Sequence, residues 1–298
     1  MEYHNPVLLK ESVDGLNIQP DGVYVDVTFG GGGHSREILS RLGEKGKLFA
    51  FDQDEDALAN KIDDPRFVLI NENFRFIKRF LRFHGIKEVD GILGDFGVSS
   101  HQFNVAERGF STRFDARLDM RMSKKGSLSA FEVINEYEEE QLKKLFYEYA
   151  DLRIAPKLAA EIVKARKESP IESSERLKEV LSPFLFKEKE HKILAQIYQA
   201  IRIEVNHELE VLREFLLQTE DLIKKGGRLS LISYHSLEDR LVKRYIRSGM
   251  FEGEPEKDFF GNISVPFKKV GGLVIPTAQE IAGNKRARSA RLRIAKKL

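Results

Sequence analysis

Two rhythms of apolar residues take turns along the chain. Val23 to Val27 (VYVDV), Lys47 to Phe51 (KLFAF), Arg66 to Ile70 (RFVLI), Val89 to Leu93 (VDGIL) and Arg228 to Ser233 (RLSLIS) are short apolar runs. Runs of this length, rich in β-branched and aromatic residues, read as buried strands. Between the first four lie segments with helical spacing. One starts near His34 with Ile38, Leu39 and Leu42 on one face and Ser35 as its cap, another covers Asp54 to Lys61, and a third covers Phe74 to Phe83. Strands alternating with helices predict an α/β fold with a doubly wound, largely parallel sheet.

After the fourth strand the rhythm becomes purely helical. Glu138 to Tyr149, Ile154 to Lys167, Ser174 to Leu181 and His191 to Val205 carry apolar residues at helical spacing, and Ser173-Ser174 reads as a capped start. This predicts an inserted all-helical domain. The expected boundaries are residues 1–105 and 206–298 for the two parts of the sheet domain and 106–205 for the insertion. Glu208 to Lys225 reads as a helix returning to the sheet, with Gly226-Gly227 as its stop. Another helix follows the fifth strand and runs through Arg247. Residues 250–270 look irregular, and Asn284 to Leu298 ends in a basic strand whose Arg291, Arg293 and Ala295 alternate with Leu292 and Ile294. A basic edge of this kind suits a polyanion, and equally a solvated edge that resists aggregation.

Against this frame the stretch Asp26 to Ser35 (DVTFGGGGHS) carries the first chemistry. Glycines between a strand and a helix let a ligand approach the backbone closely, next to the free N–H groups of the helix start. Asp52, at the end of the second strand, is placed to take ribose hydroxyls. The dinucleotide fingerprint is incomplete, because Arg36 or Ser35 stands where its last glycine belongs, and no Gly-Lys-Ser/Thr of a phosphate loop is present. S-adenosylmethionine has no phosphate and needs only the close approach and the carboxylate. A dinucleotide, or a turn that merely connects two elements, remains open. Asp95 at the tip of the fourth strand either faces the ligand crevice or caps a turn. Phe74 either stacks on an adenine or belongs to the core. His235, at the tip of the fifth strand, either touches substrate or is an ordinary packed histidine. The Arg- and Phe-rich segment Phe103 to Met122 either meets phosphates and bases or is a folded loop.

Composition narrows the chemistry. The 298 residues carry a formal net charge of only +2, so no global basic field announces a nucleic-acid partner. The chain contains no cysteine, which removes thiol nucleophiles, disulfides and cysteine metal sites. If the substrate is a nucleobase, no cysteine can add to a pyrimidine to activate C5, and a methyl group would go directly to a nitrogen, an oxygen or a hydroxyl. No apolar run approaches membrane-spanning length, no metal-ligand cluster stands out, and a soluble cytoplasmic protein is expected.

Several stretches together resemble one family. His4 to Leu9 (HNPVLL), DVTFGGGGHS, Asp95 to Ser100 (DFGVSS), Arg108-Gly109-Phe110, Leu118 to Met122 (LDMRM), Gly226 to Asp239 (GGRLSLISYHSLED) and Arg286 to Arg293 look like the bacterial RsmH (MraW) family. Its members are cytosine-N4 methyltransferases of small-subunit ribosomal RNA. The resemblance covers nearly the whole chain in the right order. It implies a class I S-adenosylmethionine-dependent, Rossmann-like fold with a helical insertion. Its substrate would be one cytosine of the decoding region in 16S RNA, met as RNA or as a 30S particle. Cofactor contacts would fall on Gly32, Gly33, His34, Asp52, Phe74, Asp95 and Gln102, with Asp95 and His235 as candidate catalytic groups. Family members commonly read Asp-Leu-Gly-Val-Ser-Ser-Pro where this chain has Phe96 and His101.

Overall fold

In the computed structural model the described residues are 6–185, 188–255, 259–260 and 263–298. His4 and Asn5 lie outside them. The chain divides into two compact units, one of residues 1–97 with 209–298 and the other of residues 98–208.

The first unit is built on seven strands: β1 (Val23–Asp26), β2 (Lys47–Phe51), β3 (Phe67–Ile70), β4 (Val89–Asp95), β5 (Ile223–Ser233), β6 (Phe267–Val274) and β7 (Arg291–Lys297). Their order is β3-β2-β1-β4-β5-β7-β6. The first five are parallel, and β7 runs antiparallel to both β5 and β6. This is the class I methyltransferase sheet. Chain order reverses between β1 and β4, and in such sheets the ligand crevice opens at the carboxyl ends of the strands flanking that reversal.

Alternation along each strand sorts the core into two layers. Val25, Phe49, Phe51, Ile92, Leu229 and Leu231 pack on one face with Ile77, Leu212, Phe215, Leu241 and Tyr245. These partners come from α3 (Ile77–Phe83), α10 (Glu208–Leu222) and α11 (Ser236–Ser248). Tyr24, Leu48, Ala50 and Leu93 pack on the other face with Val13, Ile38 and Leu39, which come from α1 (Leu9–Gly15) and α2 (Gly33–Arg41). Asp26 and Asp95 lie two residues beyond Tyr24 and Leu93, and so they emerge on the α1–α2 face.

The second unit has its own core around Phe146, Leu158, Ile162, Ile197 and Ile201, all fully buried. Its helices are α4 (Ser100–Asn104), α5 (Ala130–Glu136), α6 (Glu139–Ala150), α7 (Ala155–Glu168), α8 (Ser174–Leu181) and α9 (Glu190–Asn206). Ser173 caps α8, and Ser129 with Glu132 forms a capping box on α5. The Arg- and Phe-rich segment is a folded loop. The guanidinium of Arg108 is buried and donates to the carbonyls of Arg121 and Met122 at 3.0 and 3.1 Å, and Arg121 pairs with Asp119 at 2.7 Å.

Several elements depart from expectation. Residues 55–60 form a 3₁₀ turn capped by Asp54 in place of an α-helix, since Glu55 to Asn60 offers no long apolar face. The helix expected to stop at Gly226-Gly227 ends at Leu222, and the glycines lie inside β5, where its register with β4 slips between Val89 and Gly91. A Cβ on Gly227 would sit 2.7 Å from the Asp90 carbonyl. Part of the segment expected to be irregular forms β6, which makes β6 the edge strand and β7 an interior one. Among the described residues no helix is long and apolar enough to cross a membrane.

Candidate active site at the β1–β4 reversal

Asp26 ends β1 with no solvent exposure. It accepts the Ser35 hydroxyl at 2.7 Å and the Thr28 N–H at 3.1 Å. Burial raises its pKa while these donors oppose the rise. Ser35 therefore braces Asp26 from inside α2, and the residue at the N-cap is Gly32 in the left-handed region (φ 75°). A Ser35→Ala exchange strips a donor from a buried acceptor. It should lower unfolding stability by about 1.5–3 kcal/mol, the range for hydrogen bonds to charged groups, measured by urea denaturation.

The glycine turn fixes Asp52. The Gly30 N–H donates to Asp52 Oδ2 at 2.7 Å, and the Asp54 N–H donates to Oδ1 at 2.8 Å. Each carboxylate oxygen keeps a lone pair for a further donor. Desolvation pushes the Asp52 pKa up to about 6, against the pull of those two N–H groups. A Cβ built on Gly30 meets nothing within 4 Å, so the turn borders open space. Gly33 is different. A Cβ there would lie 2.1 Å from Pro6 Cγ, which makes it a packing glycine at the start of α2.

Asp95 ends β4 with 22% of its side chain exposed. Its N–H donates to the Thr28 hydroxyl at 2.7 Å, and its Oδ1 accepts the Tyr234 hydroxyl at 2.7 Å. The ring of His34, only 5% exposed, brings Nδ1 to 3.9 Å from Asp95 Oδ2. Its other nitrogen, Nε2, lies 3.2 Å from the Val7 carbonyl. A carbonyl only accepts, so Nε2 carries the proton and Nδ1 presents its lone pair toward Asp95. Burial lowers the His34 pKa, in keeping with a neutral ring. Desolvation pushes Asp95 up to about 6. The Tyr234 hydroxyl opposes the rise, and Asp26 and Glu238 push it further up. The Tyr234 hydroxyl is raised well above its usual value, by burial first and then by Asp95.

The structure thus brings Asp26, Gly30, Gly32, Gly33, His34, Asp52 and Asp95 to one edge of the sheet. Phe74 follows β3, half-buried in an aromatic group with Phe96 at 5.9 Å and Phe215 at 5.3 Å between ring centroids. Phe96, at one of the two positions that differ from the common family pattern, supplies one wall of that group. Gln102 belongs to the other unit, where it is buried and completes a capping box with Ser99 at the start of α4. His235 caps α11, with Nε2 3.1 Å from Glu238 Oε1. The residue that touches Asp95 is its neighbour Tyr234, which the sequence reading passed over. The signal was there in the pairing: Asp95 faces Ile232 in register, and Tyr234 is two residues further along the same face.

Curated relatives match end to end. A ribosomal RNA small subunit methyltransferase H from Christiangramia forsetii is 78% identical over 298 residues, covering 100% of this chain and 99% of the relative. Proteins of the same name from Flavobacterium johnsoniae and Bacteroides fragilis are 68% and 55% identical, over 100% and 99% of this chain and 99% and 97% of their own lengths. A solved structure of an rRNA methylase from Streptococcus thermophilus aligns over 100% of this chain and 99% of that one, at 12% identity and a TM-score of 0.45. The profile of the MraW methylase family matches residues 1–298. The protein belongs to the MraW methylase family.

Proposed function

We propose that this protein transfers a methyl group from S-adenosylmethionine to the exocyclic N4 of one cytosine in the decoding region of small-subunit ribosomal RNA, acting in the cytoplasm on the RNA or on a 30S particle. The observation that carries the reading is Asp95, an acceptor of raised pKa at the sheet reversal, held by Tyr234 and Thr28 beside the open glycine turn.

The residues fit the cofactor. The space over Gly30 lets a ligand lie against the backbone. Asp52 has lone pairs left for ribose hydroxyls, and the partly exposed Phe74 offers a ring to an adenine. The cofactor supplies an electrophilic methyl on a sulfonium. What the chain must supply is a nucleophile, because the N4 lone pair of cytosine is delocalised into the ring. Asp95 accepting an N4–H would pull that lone pair back onto nitrogen and fix its direction toward the methyl. With the S–CH₃ bond broken and the sulfonium left as a neutral thioether, the methylated N4 would carry a surplus proton, which would pass to Asp95 or on to water. The Tyr234 hydroxyl holds the carboxylate oriented and favours its ionised form. His235, tied to Glu238, serves this arrangement as the cap that fixes the turn carrying Tyr234.

Because Asp95 must be ionised to accept, activity should fall as the pH drops through about 6. The Tyr234 hydroxyl favours the ionised form, so its loss in Tyr234→Phe raises the Asp95 pKa further and moves the acid limb of kcat/KM to higher pH. A pH–rate profile of both proteins checks this, and coincident limbs would refute the contact's role.

The function is tested by offering labelled S-adenosylmethionine with small subunits that lack the modification and separating the product nucleosides by mass. N4-methylcytidine is the expected product. Label on any other nucleoside would overturn the N4 assignment while leaving the cofactor reading intact.

A further inference from the structure

Tyr234, whose hydroxyl holds Asp95, also lines a pocket of about 320 Å³. Its lining is mixed in chemistry: Ile275 and Ile281 are apolar, and Ser236, Arg288 and Ser289 are polar. Ile275 is 63% exposed, a large apolar side chain left in the open.

The cations of this region are not equivalent. Arg291 also borders the pocket, but its guanidinium is held by Asp239 at 3.2 Å, and Arg293 is bound to the same carboxylate at 2.7 Å. Those two arginines pin β7 to α11 by sharing one carboxylate. Arg288 is exposed and makes no hydrogen bond or ion pair among the described residues. It sits on the short turn Lys285–Ser289, which also carries Lys285 and Arg286 and no acid. The pocket therefore joins an apolar surface to an uncompensated guanidinium and two hydroxyls. That is the chemistry of a nucleotide: a base face for the isoleucines, and a phosphate for Arg288 with Ser236 and Ser289.

We propose that this pocket binds a nucleotide of the substrate strand next to the base presented to Asp95. The inference rests on the RNA-methylating reading above. Tyr234 is the connection, since its ring borders the pocket while its hydroxyl holds Asp95. An occupied pocket would fix the strand against Tyr234, the residue whose hydroxyl holds the carboxylate that meets the reacting base. The Arg288 end supplies affinity that depends on salt, and the Ile275 end supplies affinity that does not.

The test uses the full-length protein, a fluorescent single-stranded RNA carrying the target cytosine, and a salt series. Wild type, Arg288→Gln and Ile275→Ala are compared. Both positions are exposed, so the fold should survive, and unchanged S-adenosylmethionine affinity by calorimetry verifies that. Arg288→Gln should lower the magnitude of the slope of log Kd against log salt by about 0.7, the value for one phosphate contact on a single strand. Ile275→Ala should raise Kd by about threefold or more through lost apolar contact, with the slope unchanged. An unchanged slope in Arg288→Gln, or unchanged affinity in Ile275→Ala, overturns the pocket assignment while wild-type methylation still stands. Wild type that neither binds nor methylates RNA overturns both readings together.

Discussion

Exchanging Asp95 for asparagine should lower the rate of methyl transfer by about 10²- to 10⁴-fold, the usual contribution of a positioned acid–base group. The side chain keeps its size, so Thr28 still accepts the Asp95 N–H and the end of β4 stays in place. What changes is the acceptor. An amide presents one oxygen, and that oxygen already faces the Tyr234 hydroxyl. Its NH₂ then points toward the substrate, where a donor meets the N4–H donors of cytosine. Single-turnover measurement with saturating cofactor isolates this step. Calorimetry should find S-adenosylmethionine affinity within a few-fold of wild type. A variant within tenfold of the wild-type rate would remove Asp95 from the chemistry and leave it as a strand-end brace.

Exchanging Asp52 for alanine should act on affinity and leave the chemical step nearly unchanged. Two backbone N–H groups, from Gly30 and Asp54, lose their shared acceptor, and the proposed ribose hydroxyls lose theirs. Losing one hydrogen bond to a charged group costs about 1.5–3 kcal/mol, so the Kd for S-adenosylmethionine should rise by about 10- to 100-fold. At saturating cofactor the rate should recover to within a few-fold. The pH dependence supplies a second sign. The raised pKa of Asp52, about 6, means that its carboxyl takes up a proton as the pH falls through that value, and wild-type affinity should weaken there. A rate that stays low at saturating cofactor would mean that the turn serves the reaction itself.

The strands and the glycine turn were legible because their chemistry is local. Short apolar runs announce β1 to β5, and DVTFGGGGHS announces itself. What escaped the sequence depends on partners that are distant along the chain. Ser35 looks like a cap, because caps are serine-rich, but it turns inward because Asp26 is buried beneath it. Gly226-Gly227 looks like a helix stop, and it becomes a slip in β5 because the Asp90 carbonyl leaves no space for a Cβ at Gly227. His235 drew notice as the reactive type, whereas Tyr234 gained its place only through the register of β5 on β4. Phe74 could be read either as core or as a stacking ring, and it packs on Phe96 and Phe215 while staying partly exposed. The arginines of the C-terminal stretch looked alike, and only their pairing with Asp239 separates Arg291 and Arg293 from Arg288.

The bond between Asp95 and Tyr234 spans 139 residues, and this bears on the order in which the molecule comes into being. During synthesis β4 emerges with β1 to pair on one side, and the strand that covers its other side, β5, follows only after the whole of residues 98–208. That segment has its own core and can close while the sheet waits. For that interval β4 is an open edge, rich in apolar residues, of the kind that recruits other chains. A nascent chain stalled before Ile223 would be competent to fold its helices, incompetent in catalysis, and prone to associate through β4. Slow codons or chaperone capture within that window should therefore change the yield of soluble protein.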